Sequence, residues 1–181
     1  MAVTWIYFNE NLRAFTIVQY KAMALDPDGT PYFATRDNQL AKEIARMEAH
    51  LAIISRAPKN SACEGFRLLE NPFYIKLCPR VQFEVAESSM IRGMYLPLDY
   101  FTLLTQDPMN RGSRGAGRLD FENVPRYFDN TSFISLVQSG WIGTTIVQSE
   151  LLGELVREIV QTGRAVTIAT AVTKAGQHAE L

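Results

Sequence analysis

The chain has 181 residues, of which 47% are hydrophobic and 20% are charged, so it has the composition of a globular domain and not of a disordered chain. The formal net charge is −1, which excludes a global positive field of the kind that drives nonspecific binding to nucleic acid. Any contact with a polyanion must therefore be local. No apolar run has the length of a membrane span, and MAVTWIYFNEN at the start lacks the basic region and cleavage site of a secretory signal. We therefore expect a cytoplasmic protein without a membrane span.

The first predicted elements form a β-meander. Val3 to Phe8 and Ala14 to Leu25 are predicted strands, because β-branched and aromatic residues dominate both runs. The residues DPDGT at positions 26–30 have strong turn chemistry, and Pro31 to Thr35 is predicted to return as a hairpin partner.

A helix is predicted over Asn38 to His50, with Asp37 as its N-cap. Its apolar residues recur at helical spacing and predict one buried face: Leu40, Ile44, Met47 and Leu51. Glu43 and Arg46 are expected on the opposite face, at a spacing that permits a weak ion pair.

The middle of the chain predicts three strands and a short helix. The strands are Phe73 to Leu77, Val81 to Val85 and Met90 to Leu96, and the helix covers Leu98 to Leu104. The two cysteines, Cys63 and Cys78, are expected as a buried pair of free thiols, as is usual in a reducing compartment.

The last third predicts a strand–helix–strand unit. Thr131 to Val137 fits either a helix or a strand, whereas Trp141 to Val147 is a predicted strand. Ser149 is the predicted N-cap of a helix over Glu150 to Gln161. Arg164 to Val172 is apolar enough for a central strand that pairs in parallel with the strand before the helix.

Together these elements predict an α+β fold, in which helices pack on a mixed sheet. An N-terminal β-meander precedes the C-terminal strand–helix–strand unit. We expect a single domain over residues 1–181. It divides into a hairpin with a helix (1–56), a candidate core (66–172) and a frayed tail (173–181).

The segment 106–130 holds the main candidate site. Glycines separate the first three of its arginines, and four arginines are expected to contact phosphates: Arg111, Arg114, Arg118 and Arg126. Glycine permits close approach of the backbone to a ligand, so a mobile anion-binding loop for nucleotide or nucleic acid is one interpretation. Neither GxxxxGK[ST] nor GxGxxG occurs in GSRGAGR, and a solvated surface loop is the other interpretation.

Several other residues are candidates for chemistry near this loop. Glu84 and Glu122 are candidates for catalysis or metal binding, together with Asp120 and Asp129, because Mg²⁺ binds carboxylates alongside substrate phosphates. The alternative for these acids is ordinary surface carboxylates paired with the arginines. Tyr127 is the candidate for stacking on a base.

A resemblance adds to this picture. The chain runs through IRGMYL, LDYFTLL, an Arg/Gly insertion, SGWIGTTIV, LLGELVREIVQTG and RAVTIATAV. This order of elements resembles the ParB/sulfiredoxin-like domain of plasmid fertility-inhibition factors, the Osa-like group. Gly140-Trp141-Ile142-Gly143 occupies the place of the Gly-x-x-Arg signature of that superfamily.

The resemblance implies a cytoplasmic protein of a plasmid that binds ATP and DNA and impedes conjugation through a secretion system, as an ATPase or nuclease. It also implies phosphate contacts by the four arginines and a metal, such as Mg²⁺, held by Glu84 or Glu122. The alternative is a non-enzymatic subunit of a phage, plasmid or defence system that docks a protein partner. Such a subunit would expose an apolar patch, for example around Trp5, Tyr7 and Phe8.

Overall fold

A computed structural model of the chain describes residues 3–36, 38–58, 62–69, 71–79, 92–111, 117–161 and 166–171. Within these residues the fold is α+β, with helices packed on a mixed sheet, as the sequence predicts. The strands are β1 (Val3–Asn9), β2 (Ala14–Leu25), β3 (Pro31–Ala34), β4 (Phe73–Pro79), β5 (Met94–Pro97), β6 (Arg118–Asp120) and β7 (Val166–Ala171). The α-helices are α1 (Asn38–Ile54), α2 (Leu98–Gln106), α3 (Asn130–Gln138) and α4 (Ile146–Gln161).

The main sheet has the strand order β5-β4-β2-β1-β7. β1 and β2 form the predicted antiparallel hairpin at its centre. β4 runs parallel to β2, and β5 returns antiparallel to β4. β7 runs parallel to β1. Parallel neighbours require a long crossover connection, and helices α1 and α4 lie in the two connections here.

The long strand β2 extends beyond the main sheet into a small ribbon. Its last residues pair antiparallel with β3, and β3 pairs in turn with β6. The predicted turn joins β2 to β3, where Gly29 has a φ of 86°, a conformation that favours glycine. The amide of Gly29 donates to the carbonyl of Asp26 at 2.9 Å.

Two hydrophobic cores lie on opposite faces of the main sheet. Helices α1, α2 and α4 cover one face, where Leu40, Phe101 and Leu152 meet the inward residues of β2, β4 and β5. Helix α3 covers the other face through Phe133 and Val137. The strands alternate between these faces, since Ile75 of β4 enters the first core and Tyr74 enters the second.

The strand predicted over Trp141 to Val147 is wrong. Gly140 and Gly143 have φ values of 70° and 108°, so the backbone bends where a strand would be straight. Only an isolated bridge joins Ile142 to Leu69.

Helix α4 begins at Ile146, and Ser149 is not its cap. The amide of Gln148 donates to Oγ1 of Thr145 at 3.3 Å, and Oε1 of Gln148 accepts from the amide of Thr145 at 2.9 Å. This reciprocal pair is a capping box. The predicted strand–helix–strand unit is therefore absent, and β7 pairs with β1 at an edge of the main sheet and not at its centre.

Other differences from the sequence predictions have tertiary causes. Glu43 does not lie on the solvent face of α1, because it is buried in an ion pair with Lys21 of β2. The ambiguous run before Gln138 is a helix, whose first turn is capped by Asp129.

Cys78 is buried as expected, but Cys63 is exposed, and neither forms a disulfide. The predicted strand Val81 to Val85, the cap Asp37 and the tail 173–181 lie outside the described residues.

Candidate functional site: a cleft beside helix α2

Helix α2 forms one wall of a surface cleft. Its inner face is fixed in the first core by Leu98, Phe101 and Leu104, which recur at helical spacing. The same period turns Tyr100 and Leu103 outward. The inner contacts therefore hold the helix in place while its outer stripe lines the cleft.

The opposite wall is the segment 124–128, which is anchored at both ends. Val124 is buried in the first core. Phe128 exchanges two backbone hydrogen bonds with Tyr95 of β5, at 2.9 and 3.0 Å. Between these anchors, Arg126 and Tyr127 project into the cleft. The edge of the main sheet therefore positions both side chains.

The cleft combines apolar walls with a charged rim, and its volume is about 400 Å³. That volume is in the usual range for small-molecule sites. Leu69, Pro97 and Leu103 supply apolar surface, and Asp99 is the carboxylate at the rim. Tyr127 packs edge to face on Phe121, with ring centroids 5.8 Å apart.

Arg126 is the positive group of the cleft. Its guanidinium carbon lies 5.2 Å from the centre of the Tyr100 ring, a cation–π geometry. Arg126 is exposed and forms no ion pair with any residue that the structure describes. Its guanidinium donates no hydrogen bond to the described residues, so its N–H groups are available to an anion.

A second cleft of about 480 Å³ adjoins the first. The two clefts share Tyr100, Leu103 and Arg126, so these residues form the ridge between them. The second cleft is also lined by Met109, whose side chain is 86% exposed, and by Pro125. Its two amide side chains are held by backbone groups, since Asn110 donates to the Leu104 carbonyl at 2.9 Å and Asn123 donates to that of Arg118 at 2.9 Å.

Arg118 belongs to a different part of the molecule. It donates to Asp120 at 2.8 Å and to Asp26 at 2.5 Å, and its guanidinium lies over the Tyr32 ring. Burial alone would raise the pKa of Asp120, but hydrogen bonds from Arg118 and from the amides of Asn123 and Glu122 lower it. This arginine therefore joins the turn after β2 to strand β6.

The remaining predicted residues are not gathered in the cleft. Arg111 is exposed, and its backbone forms an isolated antiparallel bridge with Gly117. Glu122 is exposed in the turn after β6. Arg114 and Glu84 lie outside the described residues.

Two of the predicted carboxylates already have partners within the protein. The Asp120 carboxylate is occupied by Arg118 and two backbone amides, and the Asp129 carboxylate accepts from the amide of Ser132 as a helix cap. Among the residues that the structure describes, no group of three or more His, Cys, Asp or Glu side chains is arranged to hold a metal ion. The alternative interpretation of Asp120, as a partner of Arg118, is confirmed.

A cluster of polar side chains lies inside the second core, which helix α3 covers. The Lys76 ammonium lies 4.5 Å from the centre of the Tyr95 ring and 4.9 Å from that of Tyr20, and the side chain is 1% exposed. The hydroxyl groups of Tyr7 and Tyr20 are 2.9 Å apart. Burial lowers the pKa of Lys76 and raises the pKa values of Tyr20 and Tyr95. Because it is enclosed, this cluster contributes to the core under α3.

The exposed apolar patch is not where the sequence predicts it. Trp5 and Tyr7 pack in or against the second core, and the Phe8 ring stacks on Phe15 at 4.6 Å. Phe66 and Trp141 are exposed instead, with ring centroids 6.2 Å apart. Leu68 is also exposed, and its amide donates to the Trp141 carbonyl.

The chain matches no protein-family model, no curated protein and no solved structure. Along the described ranges, no helix has both the length and the apolar character needed to cross a bilayer.

Proposed function

We propose that the protein binds nucleotide units of nucleic acid in the α2 cleft, with Arg126 against a phosphate and Tyr127 against a base. The observation that carries this proposal is the set of contacts that the Arg126 side chain makes and lacks. It lies at a cleft, it packs against the Tyr100 ring, and no described carboxylate lies within ion-pair distance of its guanidinium. A guanidinium with unused donors binds phosphate oxygens strongly.

The chemistry of the cleft walls supports the same class of ligand. An aromatic side chain at the rim offers a stacking surface, which contributes about 1–3 kcal/mol per base. The cleft holds one arginine, so the described residues fit one phosphate group better than the triphosphate of ATP. The role in plasmid conjugation follows from the resemblance alone, and we keep it as part of the proposal.

Binding of a fluorescently labelled single-stranded DNA, measured by anisotropy at several salt concentrations, tests the proposal. Arg126→Gln should weaken binding, and the slope of log affinity against log salt should fall by about 0.7, the contribution of one phosphate contact on a single strand. Arg157→Gln is the matched control, since it removes the same charge from an exposed position on α4. Equal losses in the two variants would mean that only net charge matters, which contradicts a specific role for Arg126.

A second candidate function rests on the exposed patch of Phe66, Leu68 and Trp141. Apolar side chains that cluster on a surface are typical of protein–protein contacts, and the near-neutral net charge is compatible with this function. The protein would then be a non-enzymatic subunit. The absence of any response to mononucleotides and oligonucleotides at low and moderate salt would favour this second function over the first.

A further inference from the structure

The two adjoining clefts define the length of ligand that the site accommodates, and this inference rests on the proposed function. The clefts measure about 400 and 480 Å³ and share the ridge formed by Tyr100, Leu103 and Arg126. A ligand centred on Arg126 therefore has one compartment on each side. We propose that the site binds a dinucleotide step of a single strand, with the connecting phosphate on Arg126 and one base in each cleft.

The first cleft has the chemistry to select its base. Asp99 uses one carboxylate oxygen, Oδ1, to accept from the amide of Tyr100 at 2.9 Å and from Asn71 at 3.4 Å. Its other oxygen, Oδ2, has no partner among the described residues. A carboxylate oxygen accepts from the exocyclic amino group of a base, as acidic side chains do with cytosine. The first cleft therefore favours a base that carries an amino group over thymine.

The second cleft also holds a carboxylate, because Asp107 lines it and accepts from the amide of Met109 through Oδ1 at 2.9 Å. The side-chain nitrogens of Asn110 and Asn123 are held by backbone carbonyls, and Asn123 Oδ1 accepts from the Asp120 amide. Its most exposed surface is the thioether chain of Met109, which can pack on any base. The second cleft therefore adds stacking surface and offers the Asp107 carboxylate to a second base with an amino group, such as the adenine of d(CpA).

The ligand must be single-stranded for these contacts to form. Each base has to leave its stack to enter a separate compartment, which a duplex resists and a single strand permits. The net charge of −1 provides no long-range attraction to a duplex backbone. The geometry therefore points to a short local contact with unpaired nucleotides.

Isothermal titration of the protein with dCMP, the dinucleotide d(CpA) and the dinucleotide d(TpT) tests this inference. We expect d(CpA) to bind about 10-fold more tightly than dCMP, because a second stacked base contributes in the second cleft. We also expect d(CpA) to bind more tightly than d(TpT), because thymine offers no exocyclic amino group to Asp99.

Three variants locate the effect. Met109→Ala should lower the ratio of d(CpA) affinity to dCMP affinity, and Asp99→Asn should reduce the preference over d(TpT). Arg157→Gln should leave both ratios unchanged. Met109 is 86% exposed, so its truncation leaves the core intact, and circular dichroism checks the fold. If dCMP and d(CpA) bind equally well, the dinucleotide inference is overturned while nucleotide binding stands. If neither binds the wild-type protein, the proposed function itself fails.

Discussion

The buried ion pair between Lys21 and Glu43 gives the sharpest prediction for the fold. Lys21 lies on β2 and Glu43 on α1, with side chains 8% and 5% exposed. The pair joins the first helix to the centre of the main sheet, and Gln39 also donates to Glu43 at 3.2 Å. Removing one charge leaves the other buried without its partner, which is the costly case for a buried ion pair.

The magnitude follows from this burial. Glu43→Leu and Lys21→Met should each lower the free energy of unfolding by about 3–5 kcal/mol. Since a domain of ordinary size is stable by about 5–15 kcal/mol, either loss is a large fraction of the total. The combined variant Lys21→Met/Glu43→Leu should recover part of this loss, because replacing both charges with apolar side chains removes the unpaired charge.

Urea unfolding followed by circular dichroism measures these values as a double-mutant cycle. Glu48→Gln is the control, because Glu48 is an exposed carboxylate on the same helix and its change should stay within about 0.5 kcal/mol. Two results would contradict this account: single variants whose free energy of unfolding falls no more than that of the control, or a combined variant whose loss equals the sum of the two single losses.

Three further predictions concern the glycines in and before α4, the cap of α4, and Cys78 of β4. Gly143→Ala should lower the melting temperature, because φ is 108° and an added Cβ would lie 3.0 Å from the Phe15 carbonyl oxygen. Gly153→Ala inside α4 should raise the melting temperature, because alanine favours a helix and no atom lies within 4 Å of the added Cβ. Thr145→Ala should cost about 1 kcal/mol in urea unfolding by removing the cap of α4, and an unchanged midpoint would contradict the capping box.

Burial raises the pKa of Cys78 to about 11 from an ordinary 9.0, so its contribution to stability is present below pH 9 and is lost as the pH rises through 11. Wild-type protein should therefore lose stability more steeply over this range than Cys78→Ala.

The elements that the sequence predicts well are those with local signals. The runs of β1 and β2 are rich in strand-forming residues, and DPDGT marks the turn between β2 and β3. Strand β6 has only three residues and depends on its pairing with β3, so no periodic pattern could reveal it. The burial of Glu43 is also a tertiary effect, since Lys21 is distant in sequence. The start of α4 was predictable, because Thr145-x-x-Gln148 is a capping-box pattern that the β-rich run before it obscured.

The candidate site was predictable only in part. Arg126 and Tyr127 belong to the arginine-rich segment, and the structure brings both to the cleft. Tyr100 gives no such signal, because its role depends on how α2 packs against the segment 124–128. The sequence also shows no difference between Arg118 and Arg126. The difference is that Arg118 meets Asp26, a residue 92 positions away in the chain.

The most direct test of nucleotide binding in the α2 cleft is a titration of isotope-labelled protein with d(CpA), followed by NMR through the side-chain Nε–Hε signals of arginine and the ring signals of tyrosine. We predict that the signals of Arg126, Tyr127 and Tyr100 shift together with one saturation curve. The Arg118 signal should not shift, because this side chain is held in ion pairs with Asp26 and Asp120. Shifts confined to Arg111 or Trp141, with Arg126 unmoved at saturation, would contradict the account.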